Sequence, residues 1–473
     1  MSRAFGTGTT TPGRRAFDTS DVVLFTIITV AAASPFPGSG DLLIALSAAA
    51  LLTGWPRKLG LWAHPFLGLF FAWAAVSLWW SDARFLTVRG LAIYGGVSIA
   101  VWASTWRLGW WRAARALGLC MKLLLVVSVG MYVLMPARGR TQEIYQAGAL
   151  EGVFIQRNVA AFFAVAACLT FLIFATSERP RPTGDWSLAW AALSGIVVVL
   201  TRSSTGIAVC LSSGLLAVVF VAGRRLTASM RRLFLFLLIS AGTGALWWAA
   251  GHVGTLSTLL GRDDTLTGRT IIWEVAVQTI AGAPWTGYGF GALWESGVPV
   301  TDTMWAAGGF RFYHAHNTYL DLLLQVGVPG LGLGLLLLAG LFWRSVRHFL
   351  VRGGPLGVWG LSITSFLALY ALTEQAFLSH FGWTLLVLAL AMTAATRDVG
   401  DAGAEPVAPS APLDRRPAER HPGGLGSAAA RCPGTGGAQL PARSTLPLRV
   451  SEPSRTTVTA VPSASQTRTR GHS

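Results

Sequence analysis

The sequence predicts an all-α polytopic integral membrane protein of about twelve transmembrane helices, with one long external loop that contains an amphipathic helix. Three observations carry that expectation. The chain of 473 residues is 52% hydrophobic and only 12% charged, about half the charged content of a soluble domain, and its mean hydropathy is +0.53. Apolar runs of roughly 17–25 residues recur, each long enough to cross a hydrocarbon core of about 30 Å. Arginines gather in alternate loops between those runs, the bias that places basic loops in the cytoplasm.

In chain order the expected spans are 21–35, 40–54, 64–80, 84–103, 116–135, 158–176, 186–201, 205–222, 233–251, 317–343, 356–373 and 380–395, so that residues 21–395 form the membrane domain. The first, second and seventh are short or weakly apolar. Residues 1–20 are polar, with Arg14 and Arg15 ahead of the first apolar run and no small-residue cleavage pattern. A retained first helix preceded by a cytoplasmic N-terminal segment is expected. Arg57 and Lys58, Arg107, Arg112 and Arg115, Arg179 and Arg181, Arg224, Arg225, Arg231 and Arg232, and Arg344, Arg347 and Arg352 mark the cytoplasmic loops. An even number of spans puts both termini on that side. The same distribution explains the net charge of +16 without nucleic acid, because the basic residues lie in short loops rather than on one soluble face. From about residue 396 the chain turns to Pro, Gly, Ala, Ser, Thr and Arg without apolar periodicity, which predicts a disordered cytoplasmic tail over 396–473.

Cys120, Cys168 and Cys210 fall inside apolar runs, where a free thiol behaves as a small hydrophobe, and Cys432 lies in the tail. Their spacing predicts neither a zinc site nor a disulfide framework. A GxxxxGK[ST] loop, an Asp-x-Asp pair and an HExxH helix are all missing from the sequence, which argues against nucleotide hydrolysis, metal-dependent use of nucleotide sugars and zinc hydrolysis.

Two external segments exceed turn length, 136–157 and about 252–316, and the second is far longer than an ordinary connection. Within it, Ile272, Trp273, Ala276, Val277 and Ile280 recur at helical spacing while Glu274 and Gln278 are polar, which predicts an amphipathic helix on the membrane surface. Thr267 caps its start, and Gly282 with Pro284 ends it. The following GYGFG has no strand before it and reads as a flexible turn.

Arg138, Arg140, Arg157, Arg202, Arg262, Arg269 and Arg311 fall on the external side, against the orientation bias, with Arg89 near the outer end of a span. Guanidinium groups grip phosphate through paired N–H donors and keep their charge at any working pH. A membrane lipid carrying a diphosphate would satisfy such a set. Pairing with Asp263, Asp264, Glu274 or Asp302, or with lipid headgroups, is the structural alternative. His316 stands where the loop re-enters an apolar run, beside Asn317, and an imidazole suits general-base chemistry near neutrality. His314, two residues earlier, faces elsewhere once a helix has begun and reads as support.

Four stretches together resemble the O-antigen ligase and polysaccharide polymerase superfamily of bacterial inner-membrane proteins. These are GVFIQRNVAAFFAV with Arg157 and Asn158, the turn LTRSSTGIAVCL, the loop GRDDTLTGRTIIWEVAVQTIAGAPWTGYGFGALW, and HAHNTYLDLLLQVGVPGLGLGLLL. The loop resembles the exopolysaccharide-polymerase-like branch. The resemblance implies glycan transfer from an undecaprenyl-diphosphate carrier to an acceptor sugar hydroxyl, outside the membrane and without metal or cofactor. By position it makes His316 the essential histidine and Arg269 the loop arginine, both catalytic. Arg202, Arg157, Asn158, Arg311, Asn317 and His314 are then expected to bind substrate. In many relatives the Ser-rich turn carries arginine where this chain has Ser204, leaving Arg202 as the nearby cation. The acceptor, a second glycan or a lipid, stays open. So do two other readings: a flippase of lipid-linked glycans, and a peptidoglycan-type polymerase using Asp263 or Asp264.

Overall fold

The computed structural model describes residues 42–43, 45–46, 64–142, 146–178, 181–251 and 267–395. The expected spans 21–35 and most of 40–54, the cap region before Thr267, Arg262, Asp263, Asp264 and the tail over 396–473 lie outside the described residues. Among the described residues the secondary structure is helical, apart from one isolated bridge between Arg140 and Leu150.

The helices of ten residues or more are α1 (Pro65–Val76, continued by a 3-10 turn Ser77–Trp79), α2 (Arg84–Leu134), α3 (Arg157–Ala175), α4 (Ser187–Leu200), α5 (Ser204–Gly223), α6 (Ala228–Gly251), α7 (Thr267–Gly282), α8 (Pro299–Gly308), α9 (Thr318–Arg352), α10 (Pro355–Tyr370) and α11 (His380–Ala395). Four of them, α2, α3, α5 and α9, are by length and composition able to cross a membrane unaided, and α1, α4, α10 and α11 are shorter apolar helices. With 51 residues α2 exceeds one crossing more than twofold. It merges two expected spans, and Gly109, at φ 73° and ψ 162°, breaks the helix between them.

Burial sorts these helices by position. Residues 381–394 of α11 are buried without exception, so that α11 is apolar all round and enclosed by its neighbours. In contrast, α5 and α6 expose Leu211, Leu215, Val218, Leu233, Phe236 and Leu237, the pattern of helices facing hydrocarbon. Between helices in lipid, close packing replaces the hydrophobic drive. On α3, Ala160, Ala161, Ala164, Ala166 and Ala167 are buried, and a Cβ at Gly206 of α5 would come within 2.6 Å of the Ala161 Cβ. That close approach sets the start of α3 beside the start of α5. Buried polar groups are satisfied between helices, as where Trp359 donates to Thr170 at 3.1 Å and Trp383 to Ser98 at 2.8 Å.

Helix ends meet at two poles. At one, Arg224 donates to the Thr176 carbonyl at 2.9 Å and Arg231 to the Arg224 carbonyl at 3.3 Å, joining the ends of α3, α5 and α6. At the other, the start of α3, the α4–α5 turn, the start of α9 and the turn after α10 come together. Arg224 and Arg231, two of the arginines that the sequence sorts into one loop, both stand at the first pole.

The loop over 283–316 is fixed to α9 by a gap in that helix. Gly327 adopts φ 65° and ψ −168°, and Pro329 follows it. Carbonyls freed by the break are taken by the loop: Tyr288 N–H donates to Leu324 at 2.8 Å and Gly289 N–H to Gln325 at 2.9 Å. The Gln325 side chain accepts from Gly291 N–H at 2.8 Å, and Val328 N–H returns to Pro284 at 2.9 Å. Only glycine fits at 327, because a Cβ there would lie 2.3 Å from the Trp285 carbonyl oxygen. GYGFG, expected to be a flexible turn, is therefore a clamp: its three glycines take positive φ, and the amides of Tyr288, Gly289 and Gly291 reach the broken helix.

The amphipathic helix forms as α7, with a different inner face. Ile272, Val275 and Ala276 are buried against Met304 and Trp305 of α8, Phe312, Ala315 and Leu324, whereas Val277 is 56% exposed. Its apolar stripe meets other parts of the protein, and that turns the helix so that Val275 replaces Val277 inside.

Candidate active site

Glu374 lies in the turn between α10 and α11 and is the centre of the second pole. Its side chain is 6% exposed, against 16% for Arg269 and 23% for His316. Its Oε1 accepts from Asn158 Nδ2 at 2.8 Å and from Arg269 Nη2, and its Oε2 meets His316 Nδ1 at 3.0 Å. A buried carboxylate is tolerable only when opposite charge and hydrogen bonds offset its desolvation. Burial works against the Glu374 charge, but the His316 hydrogen bond and the charges of His316, Arg269 and His314 outweigh it and hold the carboxyl below its ordinary range.

Each partner arrives by a local rule. Asn317 is the N-cap of α9: its side-chain oxygen accepts from the Tyr319 and Leu320 amides at 2.9 and 3.1 Å. Its Nδ2 donates to the Leu372 carbonyl at 3.1 Å, while Thr318 Oγ1 donates to the Glu374 carbonyl at 2.9 Å. These bonds tie the start of α9 to the Glu374 turn and engage the Asn317 side chain structurally. His316, just before the cap, takes φ 47°, a left-handed conformation uncommon for histidine. Its amide donates to His314 Nδ1 at 3.2 Å, and the two rings stand 4.0 Å apart. That bond leaves the ring proton of neutral His314 on Nε2. Burial, then His316, push the His314 imidazole down; Glu374 opposes and Arg269 adds, and the result is about 4. Ala315, in between, is pinned from both sides: its amide donates to Asp321 at 3.1 Å and its carbonyl accepts from Trp273 at 2.9 Å.

On the opposite wall, Ser203 caps α5 and donates to Asn158 Oδ1 at 2.9 Å. Asn158 is thus a bridge between α5 and Glu374. Arg157 Nη1 reaches the Arg202 carbonyl at 2.5 Å, and Arg202 reaches the Ala147 carbonyl at 3.2 Å from a left-handed backbone at φ 51°. Arg269 also touches Thr205 Oγ1 at 3.4 Å. The structure therefore brings Arg157, Arg202, Arg269, Asn158, His314 and His316 into one bonded neighbourhood. Arg311 goes elsewhere, stacking over Trp305 at 5.3 Å. Arg140 stacks over Tyr132 at 4.5 Å, and Arg89 pairs with Glu295 at 3.8 Å. Asp302 accepts from the Gly297 amide, and among the described residues the carboxylate that pairs with Arg269 is Glu374.

Sequence reasoning missed Glu374, Ser203 and Thr205. A signal for Glu374 existed: it is the sole acidic residue between Asp321 and Asp398, standing in a short turn between two apolar runs. His314, His316 and Glu374 offer three ligand atoms within 4.8 Å of one another. As a cation site this set is poor. Both carboxylate oxygens already accept hydrogen bonds, His314 Nδ1 accepts an amide, and the Arg269 guanidinium supplies positive charge at the same carboxylate.

Residues 189–336, which include Arg202, Arg269 and His316, match the O-antigen ligase family. Over this segment the chain is similar to the O-antigen ligases. The family match stops short of Glu374 and starts after Asn158, so the hub of the site lies outside the O-antigen ligase segment while its cation and histidine lie inside. Over 315 residues, 63% of the chain and 69% of the relative, the protein is 25% identical to the exopolysaccharide production protein ExoQ of Rhizobium meliloti (strain 1021). The chain is thereby similar to a protein of exopolysaccharide production.

Proposed function

We propose that this protein is a metal-independent, inverting glycosyltransferase of the cytoplasmic membrane, with both termini cytoplasmic and the site on the outer side. It would transfer a glycan from a polyprenyl (undecaprenyl) diphosphate carrier to an acceptor sugar hydroxyl, in exopolysaccharide or other cell-surface polysaccharide synthesis. The observation that carries this reading is the single carboxylate of Glu374 shared by His316 and Arg269. It unites a base and a cation, the two aids that displacement at an anomeric carbon requires.

A carboxylate at Nδ1 holds the Nδ1–H tautomer and leaves Nε2 with a lone pair. As the acceptor oxygen bonds to the anomeric carbon, Nε2 of His316 takes the hydroxyl proton. The bond from that carbon to the diphosphate oxygen breaks, and its electron pair leaves with the carrier. Negative charge growing on the diphosphate is met by preorganised cations: Arg269, near the start of α7 where free helix amides also favour anions, then Arg202 and Arg157. Direct displacement inverts the anomeric centre. The loop resemblance favours a glycan acceptor, hence a polymerase.

The test is reconstitution of the purified protein with a polyprenyl-diphosphate glycan and acceptor in proteoliposomes. New inverted glycosidic product, undiminished by a chelator, supports the reading. Movement of the lipid-linked glycan without product would identify a flippase instead. Retained product after His316→Ala, with loss on substitution of Asp263 or Asp264, would favour the carboxylate polymerase.

A further inference from the structure

Glu374 stands between two groups that catalysis needs at different moments. In the structure it pairs with Arg269, the cation that the proposed transfer directs at the diphosphate, and with His316, the base. Arg269 is not free to receive an anion with its full charge while that pair persists. The pair nonetheless has an alternative arrangement built in. Oε1 also accepts from Asn158, whose other side-chain atom is fixed by Ser203, so Glu374 stays anchored if Arg269 departs. Arg269 in turn keeps a weaker contact to Thr205 at 3.4 Å, on the rim beside Arg202.

We propose that Glu374 is a positioning residue that exchanges Arg269 for the donor: the diphosphate draws the guanidinium off Oε1, and the carboxylate is left to orient His316. Resting on the function proposed above, this makes donor binding the step that prepares the base. Before the donor arrives, the Glu374 charge is divided between a guanidinium and an imidazole. Afterwards the phosphates neutralise Arg269, and Glu374 serves His316 with Asn158 as its remaining anchor. The other charged or titratable groups facing the pair are His314, Arg157 and the Tyr370 hydroxyl. None of these needs to move.

The consequence is counter-intuitive for a positioning residue. Glu374→Gln, nearly isosteric and still able to accept from Asn158, should lower transfer yet tighten binding of undecaprenyl diphosphate to the full-length protein in nanodiscs. The expected gain is roughly 5- to 150-fold, the usual span of coupling between sites. Simple removal of a nearby negative charge would also tighten binding, so the decisive measurement is the cycle with Arg269→Gln. Exchange predicts that the Glu374→Gln gain disappears in the Arg269→Gln background. A gain of equal size in both backgrounds, or weaker binding in Glu374→Gln alone, overturns the proposal. If either variant fails to fold, a structure of the wild-type protein with undecaprenyl diphosphate decides. Arg269 on phosphate with His316 still on Glu374 supports exchange; Arg269 still on Glu374 with the lipid bound overturns it. No binding of undecaprenyl diphosphate by the wild-type protein would overturn both this inference and the transfer function, whereas binding without coupling overturns this inference alone.

Discussion

His316 Nδ1 and Glu374 Oε2 lie 3.0 Å apart across 58 residues of chain, and the stretch between them consists of α9, α10 and their connection. Two helices leave this pole and return to it, so their packing, not a local motif, sets the distance between imidazole and carboxylate.

His316→Ala should lower transfer by about 10²–10⁴, the usual worth of a positioned general base, while undecaprenyl diphosphate still binds. The check is product formation in proteoliposomes beside lipid binding by the same preparation. Loss of both together would mean that His316 shapes the site instead of moving a proton.

Acid should weaken the fold in two windows. His314 is held near 4 against an ordinary 6.5, so between those values the unfolded chain binds more protons. Its contribution is complete above 6.5 and is lost as pH falls toward 4. Glu374 is held below its ordinary 4.5; its contribution is present above that value and is lost at still lower pH. Thermal unfolding in detergent from pH 7 to 4 should show the first loss, with a slope of at most about 1.4 kcal/mol per pH unit. His314→Asn should flatten it. An unchanged slope in that variant would remove His314 as its origin.

Gly327→Ala should release the loop between α7 and α9. A left-handed backbone costs an ordinary residue about 1–3 kcal/mol, and the added Cβ meets the Trp285 carbonyl at 2.3 Å. The expected outcome is faster limited proteolysis between α7 and α9, with loss of transfer and without loss of membrane insertion. A protease-resistant loop in this variant would show that the α9 gap does not hold it.

Arg202→Ala should weaken donor binding less than Arg269→Ala, because Arg202 is turned to the Ala147 carbonyl while Arg269 joins the hub. Removing a donor aimed at developing charge costs about 10²–10³ in turnover, and that loss is expected for Arg269→Ala. Measuring KM for the lipid donor and kcat separately distinguishes the two arginines. An Arg202→Ala loss in kcat equal to that of Arg269→Ala would make Arg202 the main phosphate cation.

Among the described residues, the helical and apolar character of the chain, the placement of α7 from Thr267 to Gly282 and the candidacy of His316 and Arg269 were legible in the sequence by itself. Hydrophobic periodicity, glycine and proline punctuation and misplaced arginines are local signals, and these features depend on local physics. Tertiary structure decided that Glu374 is the hub, that Asn158 and Asn317 brace it, that Val275 and not Val277 turns inward, and that GYGFG fills a gap in α9. A carboxylate in a short turn looks like any solvated acid until helices from distant parts of the chain bury it. Its partners come from α3, α7 and the start of α9, and no periodicity along a single segment encodes that meeting.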